Sequence, residues 1–346
     1  MDLSALRLLA ILSGALIVAF ALWRRRALRN GDVLLLLGAG VVLLLVGATD
    51  VLDTVLGAFS FRRGNGGRIL GLAVGAVIVL FLLTMRSLIT NARIERKLSA
   101  TLEGIAWEEF RAAGLPARFA DRIAVVIPAY NEADNLGHVL PRIPAEVCGV
   151  ETAVLVVDDG SRDGTGDLAR AGGAAVARHV TNLGGGAALR TGYRLMVDSG
   201  ARIVVTLDAD GQHRPEEMHT LVQPILDATV DMAHGSRVLG DAEPNHAARE
   251  MGIVFFNRLV SAITRTKVTD CSNGYRAVRA TVLPQLVLRQ EQFHTSEFMI
   301  EAIKRGIPAV EVPVTVDKRL HGHSKKPAVF RYGLGFTNAI MRTWLR

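Results

Sequence analysis

The chain has 346 residues, half of them hydrophobic, with 40 Lys and Arg against 33 Asp and Glu for a formal net charge of +7. That is enough for one large buried domain with sequence left over, and the surplus sits at the front. The two cysteines, Cys148 and Cys271, lie far apart and outside any metal-type spacing, which argues against zinc and agrees with a reducing compartment. The basic residues gather near the apolar N-terminal stretches and over 325–346, and no nucleic-acid motif accompanies them. Phosphate or anionic lipid, rather than nucleic acid, is therefore the expected partner of the positive charge.

Taken in chain order, the first elements are apolar stretches at 3–22, 33–48 and 69–83, almost free of ionisable residues. The first is long enough to cross a bilayer as a helix, and the other two become so when extended at their ends. A cleaved signal peptide fits the first stretch less well: no clear small-residue cleavage site follows it, and Trp23 leads into Arg24, Arg25 and Arg26. Arg24–Arg26 with Arg29, and Arg86, Arg93, Arg96 and Lys97 after the third stretch, place both flanks on the cytoplasmic side. The expectation is a three-helix transmembrane module over 1–90 and a linker helix over 91–120, multi-pass in the cell membrane, followed by a cytoplasmic domain.

From Arg122 the pattern changes to short β-rich runs alternating with helical segments: IAVVIPAYNE, a helix near 135–140, AVLVVDDGS, a helix after Asp163, AAVARHV, a helix over 187–199, and IVVTLDADG. This alternation predicts a Rossmann-like α/β domain with a mostly parallel sheet, whose ligands bind beyond the carboxyl ends of its strands. Polar clusters fall at those ends: Tyr130, Asn131 and Glu132; Asp158 to Ser161; Asp208 and Asp210. The glycines near them complete neither a dinucleotide fingerprint nor a P-loop. Asp208, Asp210 and Gln212 share the parity of an extended segment, so all three are expected to offer oxygen to one hard cation, Mg²⁺ or Mn²⁺, holding a diphosphate.

PAYNE, VVDDGSRDGT, NLGGGAALRTG, DADGQH, GSR, DCSNGYRA and RLHGHSK follow one another in this order. Together they resemble the inverting GT-A-type glycosyltransferases of the dolichol-phosphate mannose synthase and polyprenyl-phosphate glycosyltransferase group, over about 121–327. The resemblance implies that Pro128, Tyr130, Glu132 and Asp159, with Asp158 close by, hold the base and ribose of a nucleotide-sugar. It adds Gly186, Ser324 and Lys325 to the donor site, the last two in a closing loop, and makes Asp208, Asp210 and Gln212 the metal ligands. Arg237, Arg249 and Arg319 occupy positions where that group gathers cations around acceptor phosphate and donor diphosphate, a role that suits planar guanidinium forks. Ile253 and Gly185 depart from the mannose synthase pattern and leave the sugar open.

The reading that follows is a membrane-bound inverting synthase that transfers one sugar from a GDP- or UDP-sugar to polyprenyl phosphate, beside membrane lipid, with a homo-oligomer left open. Transfer to another lipid or polysaccharide acceptor, and an inactive membrane scaffold, are the alternatives. A processive polysaccharide synthase is disfavoured because no Gln-x-x-Arg-Trp motif is present, and the intact acidic residues disfavour the scaffold. Over 328–346, Phe330, Tyr332, Phe336, Ile340 and Trp344 interleave with Arg331, Arg342 and Arg346, which predicts an amphipathic segment at the membrane interface, with a packed core helix as the alternative.

Overall fold

The computed structural model of the chain describes residues 3–24, 30–48, 66–241, 247–319 and 329–346. They divide into two compact units, Met1–Lys97 and Leu98–Arg346. The first unit contains helices α1 (Leu3–Arg24) and α2 (Asn30–Ala48), and the start of α3 (Gly66–Ala112). Glycines let α1 and α2 touch: a Cβ on Gly14 would lie 2.8 Å from the Gly40 carbonyl oxygen, and one on Gly47 would lie 2.6 Å from Ile11 Cγ1. Ala10, Ile17 and Leu43 are buried in this contact.

The expected third span and linker helix form one continuous α3, because neither Gly nor Pro interrupts the chain between Gly75 and Gly104. Among the described residues one helix is long and apolar enough to cross a membrane, within Ala76–Ala112, whereas the apolar helices at Arg7–Trp23 and Leu36–Leu45 are shorter.

In the second unit the end of α3 is fastened by polar contacts. Trp107 Nε1 donates to Asp198 Oδ2 at 2.7 Å, Arg190 pairs with Glu103 at 2.8 Å, and Phe110 is buried against Phe119. The sheet that follows has eight strands: β1 (Ile123–Ala129), β2 (Glu146–Val147), β3 (Val150–Asp158), β4 (Ala175–Arg178), β5 (Ile203–Thr206), β6 (Met232–Ser236), β7 (Arg276–Arg279) and β8 (Ala309–Pro313).

In β1, successive side chains enter opposite cores, as strand geometry requires. Ala124 and Val126 join the cluster beneath α6 (Gly185–Asp198), while Ile123, Val125 and Ile127 join the cluster beneath α4 (Ala133–Val139), α5 (Thr165–Ala171) and α7 (Met218–Leu226). Helices therefore cover both faces, as the apolar runs predict. α6 lies so close to β1 that a Cβ on Gly192 would fall 2.5 Å from Val126 Cγ1.

The strand order is β2-β3-β1-β5-β7-β6-β8, with β4 beside β3. β4, β3, β1 and β5 run parallel, but β7 is antiparallel to both β5 and β6. β6 and β8 therefore run in the same direction as β5, and the sheet is mostly parallel, as expected, with β7 and the short β2 reversed. Arg276, the first residue of β7, pairs with Thr206, the last of β5, so the chain enters β7 from the carboxyl end of β5. Residues 270–275 are thereby delivered beside Asp208.

α8 (Ala247–Thr264), α9 (His294–Lys304) and α10 (Val329–Trp344) build a third core around Val260, Met299, Ile300, Phe336 and Ile340. Phe336 and Ile340, expected at a membrane interface, are 1% and 0% exposed. The Phe336 ring meets Phe256 and Phe293 edge-on at 4.4 and 5.2 Å. For these two residues the core-helix alternative is the one observed, since the apolar face of α10 has protein partners. Ile340→Val is accordingly expected to lower unfolding stability by about 1 kcal/mol. Chemical denaturation would measure that loss, and the ratio of KM values for a long-chain and a short acceptor should not move.

Candidate active site

The loops after β1 and β3 are stitched together by short side chains. Asn131, at a positive φ of 51°, donates its N–H to Ser161 Oγ and accepts at Oδ1 from Arg162 N–H, both at 2.9 Å. Glu132 N–H donates to Thr165 Oγ1 at 3.0 Å, and Ala133 N–H donates to Asp163 Oδ2 at 3.1 Å. Asp163, which also accepts from Thr165 N–H at 3.0 Å, thus ties the start of α4 to the start of α5. Partial burial works to raise its pKa, but hydrogen bonds from Thr165 and Ala133 prevail and hold it below the usual carboxylate range.

Asp158 and Asp159 are both turned inward, at 1% and 2% exposure. Asp158 accepts from Ser161 N–H at 2.8 Å and lies 3.4 Å from the Arg178 guanidinium. Asp159 accepts from Leu183 N–H at 2.9 Å and Gly184 N–H at 2.8 Å, and touches His179 Nδ1 at 2.7 Å, whose Nε2 meets Thr191 Oγ1 at 2.9 Å. Asp159 therefore organises the 182–186 loop with both carboxylate oxygens engaged. Gly186 is covered as well: a Cβ there would fall 1.9 Å from the Gln290 carbonyl oxygen, and its N–H donates to Glu291 O at 2.9 Å. Pro128 and Tyr130 are half-buried beside these loops.

Beyond β5 the chain turns at residues 209–210 and Gly211 takes a φ of 73°, so the extended run expected over 208–212 is broken. Asp208 and Asp210 still face each other electrostatically, with side-chain exposures of 41% and 12%. Burial first, and then the charge on Asp208, push the Asp210 carboxyl above its ordinary range, while His213 and Arg319 act against the shift. Gln212 is tied to the chain after β8: its Nε2 donates to Asp317 O at 3.0 Å, and Asp317 N–H returns a bond to Gln212 O at 2.8 Å. Beside Asp208 stands His213, which sequence parity passed over. It is stacked on Tyr275 at 5.1 Å, with Nδ1 3.9 Å from Asp208 Oδ2 and no hydrogen-bond partner for that nitrogen among the described residues.

Arg319 closes the group, with 2.9 Å to Asp210 Oδ2 and 3.2 Å to Glu132 Oε1. Glu132, Asp208, Asp210 and Arg319 therefore converge from the ends of β1 and β5 and from the chain after β8. Arg237 stands apart on a buried acid, Asp270: Nε lies 2.6 Å from Asp270 Oδ2 and Nη2 lies 3.2 Å from Ser272 Oγ. Arg249 is placed as a position on α8 and nothing further is described of it. Ser324 and Lys325 lie outside the described residues.

No three His, Cys, Asp or Glu side chains form a metal-binding group among the described residues. A cage made only of protein is not what this chemistry needs, because Mg²⁺ is commonly held by one or two carboxylates together with substrate phosphates and water. Two neighbouring carboxylates, one of them buried at a cost to its charged form, fit a shared divalent cation of that kind.

The family described as glycosyl transferase family 2 matches residues 124–287. The chain is 36% identical over 220 residues to the polyprenol monophosphomannose synthase of Mycolicibacterium smegmatis, covering 60% of this chain and 82% of that protein. It is 35% identical over 215 residues to the undecaprenyl-phosphate mannosyltransferase of Micrococcus luteus, covering 59% and 87%. Among solved structures, glucosyl-3-phosphoglycerate synthase from Mycobacterium tuberculosis, in complex with Mn²⁺, UDP and glucosyl-3-phosphoglycerate, superposes with a TM-score of 0.51 at 23% identity, covering 65% of this chain and 79% of that one. At that identity the likeness concerns the fold alone.

Proposed function

The chain belongs to glycosyl transferase family 2 and is a glycosyltransferase of the polyprenyl-phosphate sugar transferase type; from that premise we propose that it moves one sugar, with inversion, from a GDP- or UDP-sugar to polyprenyl phosphate at the cytoplasmic face of a membrane. The observation that carries the reading is the convergence of Asp208, Asp210, Glu132 and Arg319 beyond the strand ends. Both relatives are named for joining mannose to a polyprenyl phosphate. The apolar N-terminal helices and their arginine-rich flanks support a multi-pass module that keeps the catalytic unit where the lipid acceptor lies.

The acceptor phosphate is already anionic at neutral pH, so no strong base is required and catalysis rests on position and charge. Asp208 and Asp210 would hold Mg²⁺ or Mn²⁺, which supplies positive charge opposite the departing diphosphate. Arg319, now paired with Asp210 and Glu132, is within reach of the same diphosphate and exchanges carboxylate oxygens for phosphate oxygens when the donor binds. Arg237, held in one orientation by Asp270, serves the acceptor phosphate. Membranes containing the chain, incubated with a panel of radiolabelled nucleotide-sugars, are expected to place label in the extractable lipid fraction in an acid-labile monophosphate linkage. Label found only in polymer or in a water-soluble product would overturn the acceptor assignment.

A further inference from the structure

We propose that Arg276 is a positioning residue of this site: its buried guanidinium fixes the turn at residues 273–274 as a rigid wall against which the Asp208 carboxylate is seated. The inference rests on the reading that Asp208 takes part in holding the donor's cation and diphosphate.

Arg276 is 0% exposed, the largest fully buried side chain among the described residues. It lies in a polar row across the sheet, paired with Thr206 of β5 on one side and with His234 of β6 on the other, beyond which comes Glu311 of β8. Its Nε donates to Gly274 O at 3.3 Å, Nη1 reaches Thr295 O at 3.5 Å, and its charged carbon sits 4.7 Å over the Phe298 ring. Among the described residues it forms no ion pair with a carboxylate, and Nη2 has no hydrogen-bond partner. Burial pulls its pKa downward, opposed by Tyr193 and Asp208. A guanidinium buried in this way lowers stability, so core packing alone gives no reason for arginine here.

The reason lies in what it holds. Gly274 meets Asp208 so closely that a Cβ would fall 2.7 Å from both carboxylate oxygens. Asn273 Oδ1 closes the turn by accepting from Tyr275 N–H at 3.0 Å, and the Tyr275 ring in turn stacks on His213. One short segment thus backs Asp208 and orients the histidine beside it, and the Arg276 guanidinium ties that segment, through Nε to Gly274 O, to the start of α9, through Nη1 to Thr295 O. Lysine would keep the charge but lose the planar fork.

The test uses the full chain in detergent, with binding of Mn²⁺ followed by the electron paramagnetic resonance of the free ion, with and without nucleoside diphosphate. Arg276→Lys is expected to weaken Mn²⁺ binding roughly tenfold, the usual scale for losing a residue that supports a metal ligand. Gly274→Ala should show a similar loss with Arg276 intact. Leu155→Ala, which opens a cavity in the same core from β3, should lower the unfolding temperature without changing Mn²⁺ affinity. Wild-type Mn²⁺ affinity in Arg276→Lys, or an equal loss in Leu155→Ala, overturns the proposal. Should Arg276→Lys fail to fold, Gly274→Ala decides, and unchanged affinity there has the same consequence. Absence of saturable Mn²⁺ binding in the wild-type protein would instead remove the donor-site reading on which the inference stands.

Discussion

Asp210→Asn is expected to lower kcat for lipid glycosylation by roughly 10²- to 10³-fold, the scale on which active sites lose one charge-stabilising group. The residue is 9% exposed and sits beside Asp208, and burial with that second charge raises its pKa. A carboxyl whose pKa is raised on folding binds more protons in the folded than in the unfolded state, so its contribution to stability falls as pH rises through that range. The isosteric amide removes this cost at neutral pH. The variant should therefore unfold no earlier than the wild-type protein, with the lost Arg319 ion pair as the opposing effect. Transfer assays across a Mn²⁺ or Mg²⁺ titration, set beside thermal unfolding, separate the two consequences. Full activity of the variant in excess chelator would remove both the metal and Asp210 from the mechanism.

Much of this site was legible because parallel strands announce themselves. The apolar runs ending at Ala129, Asp158 and Thr206 are buried on both faces, and acidic residues follow or close each one. Strand pattern does not reveal which way a carboxylate turns. Asp159 looks inward because its partners, His179, Leu183 and Gly184, come from the next crossover. Nor does strand pattern reveal the positive φ at Gly211, which breaks the extended run before Gln212, or the bond by which Gln212 Nε2 is tied to Asp317 O.

The far half of the sheet, where β7 is reversed between β5 and β6, was harder to see. β6 reads MAHGS and β7 reads RAVR, and neither is an apolar run, since His234, Ser236 and Arg276 are buried polar residues. Hydropathy assigns such residues to the surface, whereas here they have hydrogen-bond partners inside. His234 Nε2 lies 2.8 Å from the Asp270 carbonyl oxygen, and burial, reinforced by Arg276, depresses its pKa to about 3, so the imidazole is neutral. In α10 the spacing of Phe336 and Ile340 identified an apolar face correctly, but only the packing of α8 and α9 against it decided what it meets.

Asp270→Asn should cost about 3 to 5 kcal/mol, the penalty for breaking a buried ion pair from one side. Asp270 is 0% exposed and carries the Arg237 guanidinium at 2.6 Å, while its own N–H is held by Glu311 Oε1 at 2.9 Å and its carboxylate also accepts from Ser272 Oγ at 3.1 Å. The amide cannot balance a guanidinium whose side chain is only 13% exposed, so Arg237 is left with uncompensated charge. Removing both charges together tests what the pair is for. Buried pairs replaced by apolar groups of similar volume are often neutral for stability. Arg237→Met combined with Asp270→Leu should therefore recover most of the denaturation midpoint lost in Asp270→Asn. Transfer to polyprenyl phosphate should not recover, because the cation assigned to the acceptor phosphate is gone. Recovery of activity along with stability would show that Arg237 serves the fold alone and that the acceptor phosphate is met by another residue.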